Sequence, residues 1–438
     1  MIKKLFIFIN SWKYINLEKN DYKIIIFGSE AKSQLNFFKK NYYYLDPMRE
    51  NIFNFKLILP GLLSFFNCLF TKPFKVLKIL KFILPIIIIL GLIKSKKIKK
   101  IFTLVDYNIW PIIFKELLGD KIYIITLQNS SRIYPMNRVR VANKFDEYLV
   151  WNRFNENEKK EIKQTKLKEF GALKSYIVLN KNRLWNEINV KPNQSKDFKK
   201  NLVLISTLTS ECKIFFDKFL REKNFEDYSS ILDDLEKEAL KNKFKKDNYK
   251  HLDNKNYLYG KIPALIFHYQ SIEFFKMCLF LRNYIEKEKL NFTICERWRP
   301  GDKMYEEERK IFYKIFGKVK FLNKDVYEKI EFITKEKNCV YITNISNLGR
   351  ECLALKRKAF FFSSILHFYN PDFFDKDSKL FSINNSLEEF ASKLNNLFEL
   401  NDQEFSEVLK TLKDTVTSCE LTEDRFKYLT DLTGLQPN

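Results

Sequence analysis

Glycine is scarce in this chain, with 10 residues in 438, and there are only three histidines, His251, His268 and His367. With so few histidines and no H-E-x-x-H pair, a zinc centre is not expected. The seven cysteines (Cys68, Cys212, Cys278, Cys295, Cys339, Cys352 and Cys419) are odd in number and include no C-x-x-C. They read as reduced core thiols of a cytoplasmic protein. There is no zinc-finger, helix-turn-helix or RNA-binding signature, and the lysines are dispersed along the chain, so nucleic acid is not expected as a partner. No internal repeat or low-complexity tract appears.

Long apolar runs are also missing. Residues 82–93, FILPIIIILGLI, make an apolar run that contains Pro85 and falls short of the roughly 18 residues needed to span a bilayer. Lys72, Lys75, Lys78 and Lys81 precede it, and Lys94, Lys96, Lys97, Lys99 and Lys100 follow. Two readings compete for this run: a buried element of the first domain, or an apolar patch with a basic rim that docks on anionic lipid. At the start, Met1–Lys4 and the apolar residues 5–9 imitate a signal peptide. The apolar part is too short and no small-residue cleavage site follows, so a first strand is expected there.

What is present is a globular composition, 45% hydrophobic and 30% charged, in a chain long enough for two or three domains, each with its own core. The net charge of +23 points to a negatively charged partner: nucleic acid, an anionic membrane surface or a phosphorylated substrate. Lys, Ile, Asn and Phe are over-used together, as AT-rich coding produces, so the charge alone does not choose among these.

Apolar segments alternate with helical ones along the chain, which implies parallel sheets covered on both faces. Strands are expected at 23–27, 99–105, 121–127 and 147–151, with a charged helix at 156–168. A polar stretch at 180–200 reads as a linker. A second strand set follows at 202–205, 292–295, 319–322, 340–343, 359–363 and 380–383, with an amphipathic helix at 269–287 and closing helices at 387–400 and 404–412. Residues 340–362, VYITNISNLGRECLALKRKAFFF, read as strand, turn, short helix and strand. Such a βαβ unit leaves backbone amides free at the strand's carboxyl end, where phosphates bind. An ordinary helix cap explains the same residues.

Five strand ends, in order, carry a wider pattern: TLVDYN (103–108), LQNSSR (127–132), FGALKS (170–175), CERWR (295–299) and SNLGRE (346–351). In this succession the chain resembles the surface carbohydrate (polysaccharide) biosynthesis family of GT-B-like bacterial proteins over about residues 1–415. That family has F-x-D-N, Q-N-G-x-R, G-S, G-R and S-T-L-G-x-E turns at these places. Here Asn347 replaces Thr, Ser130 replaces Gly, and Arg350 stands where an aromatic is usual. These departures bear on the donor more than on the fold.

The resemblance implies an α/β fold of two Rossmann-like domains facing across a cleft, with C-terminal closing helices. The acceptor-side domain is expected at 1–179, the linker at 180–200, the nucleotide-sugar domain at 201–385 and the helices at 386–438. It implies a glycosyltransferase, cytoplasmic or peripheral at the inner face of the plasma membrane. The donor is a nucleotide-sugar and the acceptor a glycan or lipid-linked precursor; no metal and no cofactor beyond the nucleotide-sugar substrate is implied. On such a scaffold Ser346, Asn347, Leu348 and Gly349 would meet the donor diphosphate, and Glu351 would accept from a ribose hydroxyl or serve the helix dipole. Arg297, with Arg299 near it, would neutralise the leaving diphosphate. Asp106 is the candidate base, with a turn carboxylate as its plainer reading. Asn108, Gln128, Asn129 and Arg132 would hold the acceptor. Asp375-Lys376-Asp377 is set aside as a chance D-x-D, and His367 follows a strand that could bring it to the cleft. Other functions stay open on the same scaffold: polyol-phosphate transfer, nucleotide-sugar epimerisation, or a non-catalytic docking subunit.

Overall fold

The computed structural model describes residues 12–15, 22–28, 32–47, 51–77, 82–105, 108–128, 138–151, 154, 156–189, 200–208, 232–237, 264–363, 379–382, 386–411 and 420–438. The first strand expected at the chain's start, the D-x-D at 375–377 and His367 lie outside these residues.

Two six-stranded sheets organise the chain, and every strand pair in them is parallel. In chain order the first part contributes β1 (Trp12–Tyr14), β2 (Ile24–Phe27), β3 (Tyr43–Leu45), β4 (Asn51–Phe53), β5 (Lys100–Thr103), β6 (Tyr123–Leu127), β7 (Glu147–Val150) and β8 (Lys166–Glu169). The first sheet runs β3-β2-β5-β6-β7-β8, while β1 and β4 pair apart from it. Central strands such as IIIF at 24–27 are buried along their whole length. Helices cover both faces of such a sheet, so its sequence reads as apolar runs without alternation.

The second sheet is made of β9 (Asn201–Ile205), β10 (Asn291–Cys295), β11 (Lys320–Leu322), β12 (Cys339–Thr343), β13 (Ala359–Phe362) and β14 (Phe381–Ser382). Its order, β11-β10-β9-β12-β13-β14, starts at the centre, walks to one edge and returns to the other. That is the doubly wound Rossmann arrangement, and its crevice opens where the order reverses, between β9 and β12.

The two domains meet through segments that follow strand carboxyl ends. Ser33, after β2, lies 3.4 Å from the Tyr327 hydroxyl, after β11. Ser175, after β8, donates to Glu351, after β12, at 2.6 Å. The carboxyl edges of the two sheets therefore face one another. Residues 173–189 form two helices, Leu173–Lys181 and Trp185–Asn189. Their apolar side chains join a core that continues from the first sheet into the second.

The closing helices divide between the domains. Phe390 of the helix Leu387–Glu399 packs on Phe360 and Phe362 of the second sheet. The last helix, Glu423–Thr433, returns to the first domain, where Phe426 stacks on Phe38 and Tyr176 and Lys100 donates to the Leu432 carbonyl at 2.7 Å.

One local expectation changes. The charged helix stops at Glu161, and Lys166–Glu169 pairs with Glu147–Val150 as an edge strand; charged side chains suit an edge exposed to water. Of the two readings of the apolar run at 82–93, the structure favours the buried element: the run forms the helix Ile83–Ser95, whose residues 86–92 are buried.

Candidate functional site

The β9–β12 crevice is built on buried polar side chains that answer one another. Thr207, just past β9, donates to the Asn344 side chain, just past β12, at 2.6 Å. Asn344 in turn donates to the Gln270 carbonyl at 3.2 Å, and the Gln270 side chain to the Thr207 carbonyl at 3.4 Å. At the neighbouring strand end, Ser363 donates to Glu273 at 2.8 Å. Buried polar groups need such partners, and the closed loop of bonds fixes the strand ends relative to the helix Ala264–Glu288.

Arg297 enters from the next strand. It follows β10, is exposed, and its guanidinium reaches over to the Thr207 carbonyl at 3.4 Å. The turn carrying it is clamped from beneath. One carboxylate, Glu308 on the helix Tyr305–Phe316, accepts the N–H groups of Arg297 and Trp298, both at 3.0 Å, and the Ser206 hydroxyl. Burial still pushes the Glu308 carboxyl above its ordinary value, against the pull of these bonds. Glu296 is gripped by Arg309 through two bonds, at 2.6 and 3.2 Å, and Lys329 holds the Glu296 carbonyl. The exposed cation thus stands on a turn whose backbone has few ways to move.

The helix Asn347–Ala354 opens on the other side of the crevice. Ser346 is its N-cap: its hydroxyl accepts from the Leu348 N–H at 3.1 Å, and its own N–H donates to Thr343 at 3.3 Å. Asn347 is exposed, whereas Gly349 and Arg350 are buried. A Cβ on Gly349 would lie 2.6 Å from the Thr343 methyl and 3.2 Å from the Phe361 ring. Gly349 therefore serves close packing of helix on strand, the need met by the last glycine of a dinucleotide fingerprint. In the other glycine motif, Gly171 has φ 105°, a conformation that favours glycine, and it leads into the helix that carries Ser175. Burial drives the Arg350 guanidinium well below its ordinary pKa.

Glu351 faces the first domain. It is buried and accepts the Ser175 hydroxyl; burial pushes its carboxyl up, while the Ser175 bond and the nearby Lys174 pull it down. Asn108 and Gln128, the described acceptor-side candidates, are engaged locally. Asn108 caps the helix Ile109–Leu118 by accepting from Trp110 at 3.0 Å, and buried Gln128 ties β6 to β7 by accepting from the Trp151 N–H at 2.9 Å. Asp106, Asn129 and Arg132 lie outside the described residues. Among the described residues, no three His, Cys, Asp or Glu side chains gather where a metal ion could be held.

Thr207, Gln270, Glu273 and Glu308 were not legible as site residues. Only Ser206-Thr207, short polar residues ending an apolar run, carried a local signal; the others act from helices distant in sequence.

No family model matches the sequence, and no curated protein matches it. Among solved structures, the chain is similar to UDP-GlcNAc 2-epimerase from Neisseria meningitidis bound to UDP-GlcNAc, at 8% identity and a TM-score of 0.45, covering 93% of this chain and 98% of that one. It is similar to the wall teichoic acid polymerase TagF at 10% identity and a TM-score of 0.43, covering 94% of this chain and 89% of that one. It is also similar to Acinetobacter baumannii MurG at 9% identity and a TM-score of 0.43, covering 94% of this chain and 99% of that one. Likenesses this faint carry no functional argument, and a reading of the site rests on this chain's own geometry.

Proposed function

We propose that the protein is a glycosyltransferase, moving a sugar from a nucleotide-sugar donor to a glycan or lipid-linked precursor of a surface polysaccharide. The observation that carries this reading is at the β9–β12 switch point: the exposed cation Arg297 bonds the Thr207 carbonyl, and the Thr207 side chain bonds Asn344, at the strand end that leads into the helix Asn347–Ala354. A helix N-terminus and a guanidinium together suit a diphosphate. In the reaction an acceptor hydroxyl oxygen forms a bond to the sugar's anomeric carbon, and the bond from that carbon to the phosphate oxygen breaks. The electron pair leaves with the diphosphate, where Arg297 and the helix start offset the growing charge. The hydroxyl proton goes to a base, a role assigned to Asp106 from the strand-end motif alone.

The test is a thermal-shift screen of the purified chain against UDP, GDP, CDP, CMP, dTDP and their common sugars. A ligand that binds only the folded state raises its stability. One nucleotide class is expected to raise the transition, and Arg297→Ala to reduce that shift at least several-fold while leaving the unliganded transition in place, because the side chain is exposed. No shift with any nucleotide, with or without divalent metal, overturns the reading. Stabilisation by cytidine nucleotides alone would redirect it to polyol-phosphate transfer.

A further inference from the structure

The first domain carries an apolar surface that its fold leaves in water. The helix Phe55–Thr71 packs one face, through Leu57, Gly61, Phe65 and Cys68, against the helix Ile83–Ser95. Its opposite face is apolar too. Phe55 (75% exposed), Leu59 (68%), Leu63, Phe66 and Phe70 (83%) recur every three or four residues, and Phe74 (80%) extends the series into the next short helix, Pro73–Leu77. At 100° per residue, the exposed positions on the longer helix fall within roughly 80° of arc. Their exposed surface is on the order of 700 Å², more than the largest apolar patch of a typical monomer.

Charge decides what fits this face. From residue 51 to residue 105 the chain has ten lysines and no aspartate or glutamate. Lys56 and Lys75 are exposed on the same pair of helices, and Lys94, Lys97 and Lys99 are exposed at and beyond the end of the partner helix. A protein partner could be matched by apolar contact alone, but an apolar stripe inside a wholly basic segment is matched by acyl chains beneath anionic headgroups. Among the described residues no helix is long and apolar enough to cross a membrane, which leaves docking in the plane of the interface. We infer that the face of the helices Phe55–Thr71 and Pro73–Leu77 is a docking surface for an anionic lipid bilayer. Phenylalanine and leucine enter the acyl boundary while lysines meet the headgroups. The inference stands on this face alone and does not depend on the proposed reaction.

The experiment is flotation of the full chain with phosphatidylcholine vesicles, with and without about 30% phosphatidylglycerol. Binding is expected on the anionic vesicles, at least tenfold weaker on neutral ones, and falling as salt rises. The double variant Phe70→Glu/Phe74→Glu is expected to lose binding at least tenfold with an unchanged melting transition, since both rings are already exposed. Tyr313→Glu, an exposed aromatic of the second domain, controls for nonspecific loss and should bind as the parent does. Three outcomes overturn the inference: a parent chain that does not float with anionic vesicles, a double variant that floats equally well, or a solution dimer that Phe70→Glu dissociates. The last would give the face to a second copy of the chain.

Discussion

Glu308 and Glu351 show how one residue type serves two ends of the same crevice. Both carboxyls are buried and pushed up by that burial. Glu308 spends its oxygens on the turn beneath Arg297, and Glu351 reaches across to Ser175. Because the folded state holds the Glu351 proton more tightly than the unfolded chain does, its contribution to stability is full below the ordinary glutamate value, about 4.3. It is lost as pH rises through the higher folded value. Glu351→Gln keeps an acceptor for Ser175 and removes the titration. Melting curves from pH 4 to 8 should therefore show the variant gaining on the parent as pH rises, then running parallel to it. A difference that does not change with pH would show that Glu351 is not titrating from a raised value. The Ser346–Glu351 segment was legible because strand, cap and glycine are contiguous in sequence. Its chemistry was less so: Gly349 answers to Thr343 and Phe361, contacts made only once helix lies on strand.

Among elements, the crossing of Phe55–Thr71 with Ile83–Ser95 depends most on single positions. A Cβ on Gly61 would lie 2.0 Å from the Ile87 carbonyl oxygen, and one on Gly91 would lie 2.1 Å from that of Leu57. The obstacle is backbone, which cannot turn aside as a side chain can. Gly91→Ala should cost at least the roughly 1–3 kcal/mol typical of overpacking, read as a lowered midpoint in denaturant unfolding. An unchanged midpoint would contradict so close a crossing. This helix pair also shows where sequence reading stops. The helix at 55–71 has a proper cap in Asn54 but contains Pro60 and is apolar on two faces, so no single amphipathic stripe marks it. The helix Val326–Lys335 begins at a capping box of Asp325 and Glu328, a pattern contained in four consecutive residues. The central parallel strands were readable as apolar runs; β8, an edge strand rich in lysine, had the composition of an exposed helix.

At the scale of the whole molecule, segments that follow the carboxyl ends of the two sheets meet, through Ser33 with Tyr327 and Ser175 with Glu351. Two α/β sheets followed from the alternation of strands and helices, but the 3-2-1-4-5-6 order of the second depends on pairings between segments as far apart as 201–205 and 339–343. The return of the last helix to the first domain is equally nonlocal, resting on contacts such as Lys100 with Leu432. The most direct test of the central claim is hydrogen–deuterium exchange of the full chain with and without UDP, GDP and CDP and their sugars. A nucleotide bound at the β9–β12 crevice should protect peptides covering 296–299 and 344–351, the turn of Arg297 and the start of its facing helix. Protection confined to other segments, or none with any nucleotide, would contradict the account.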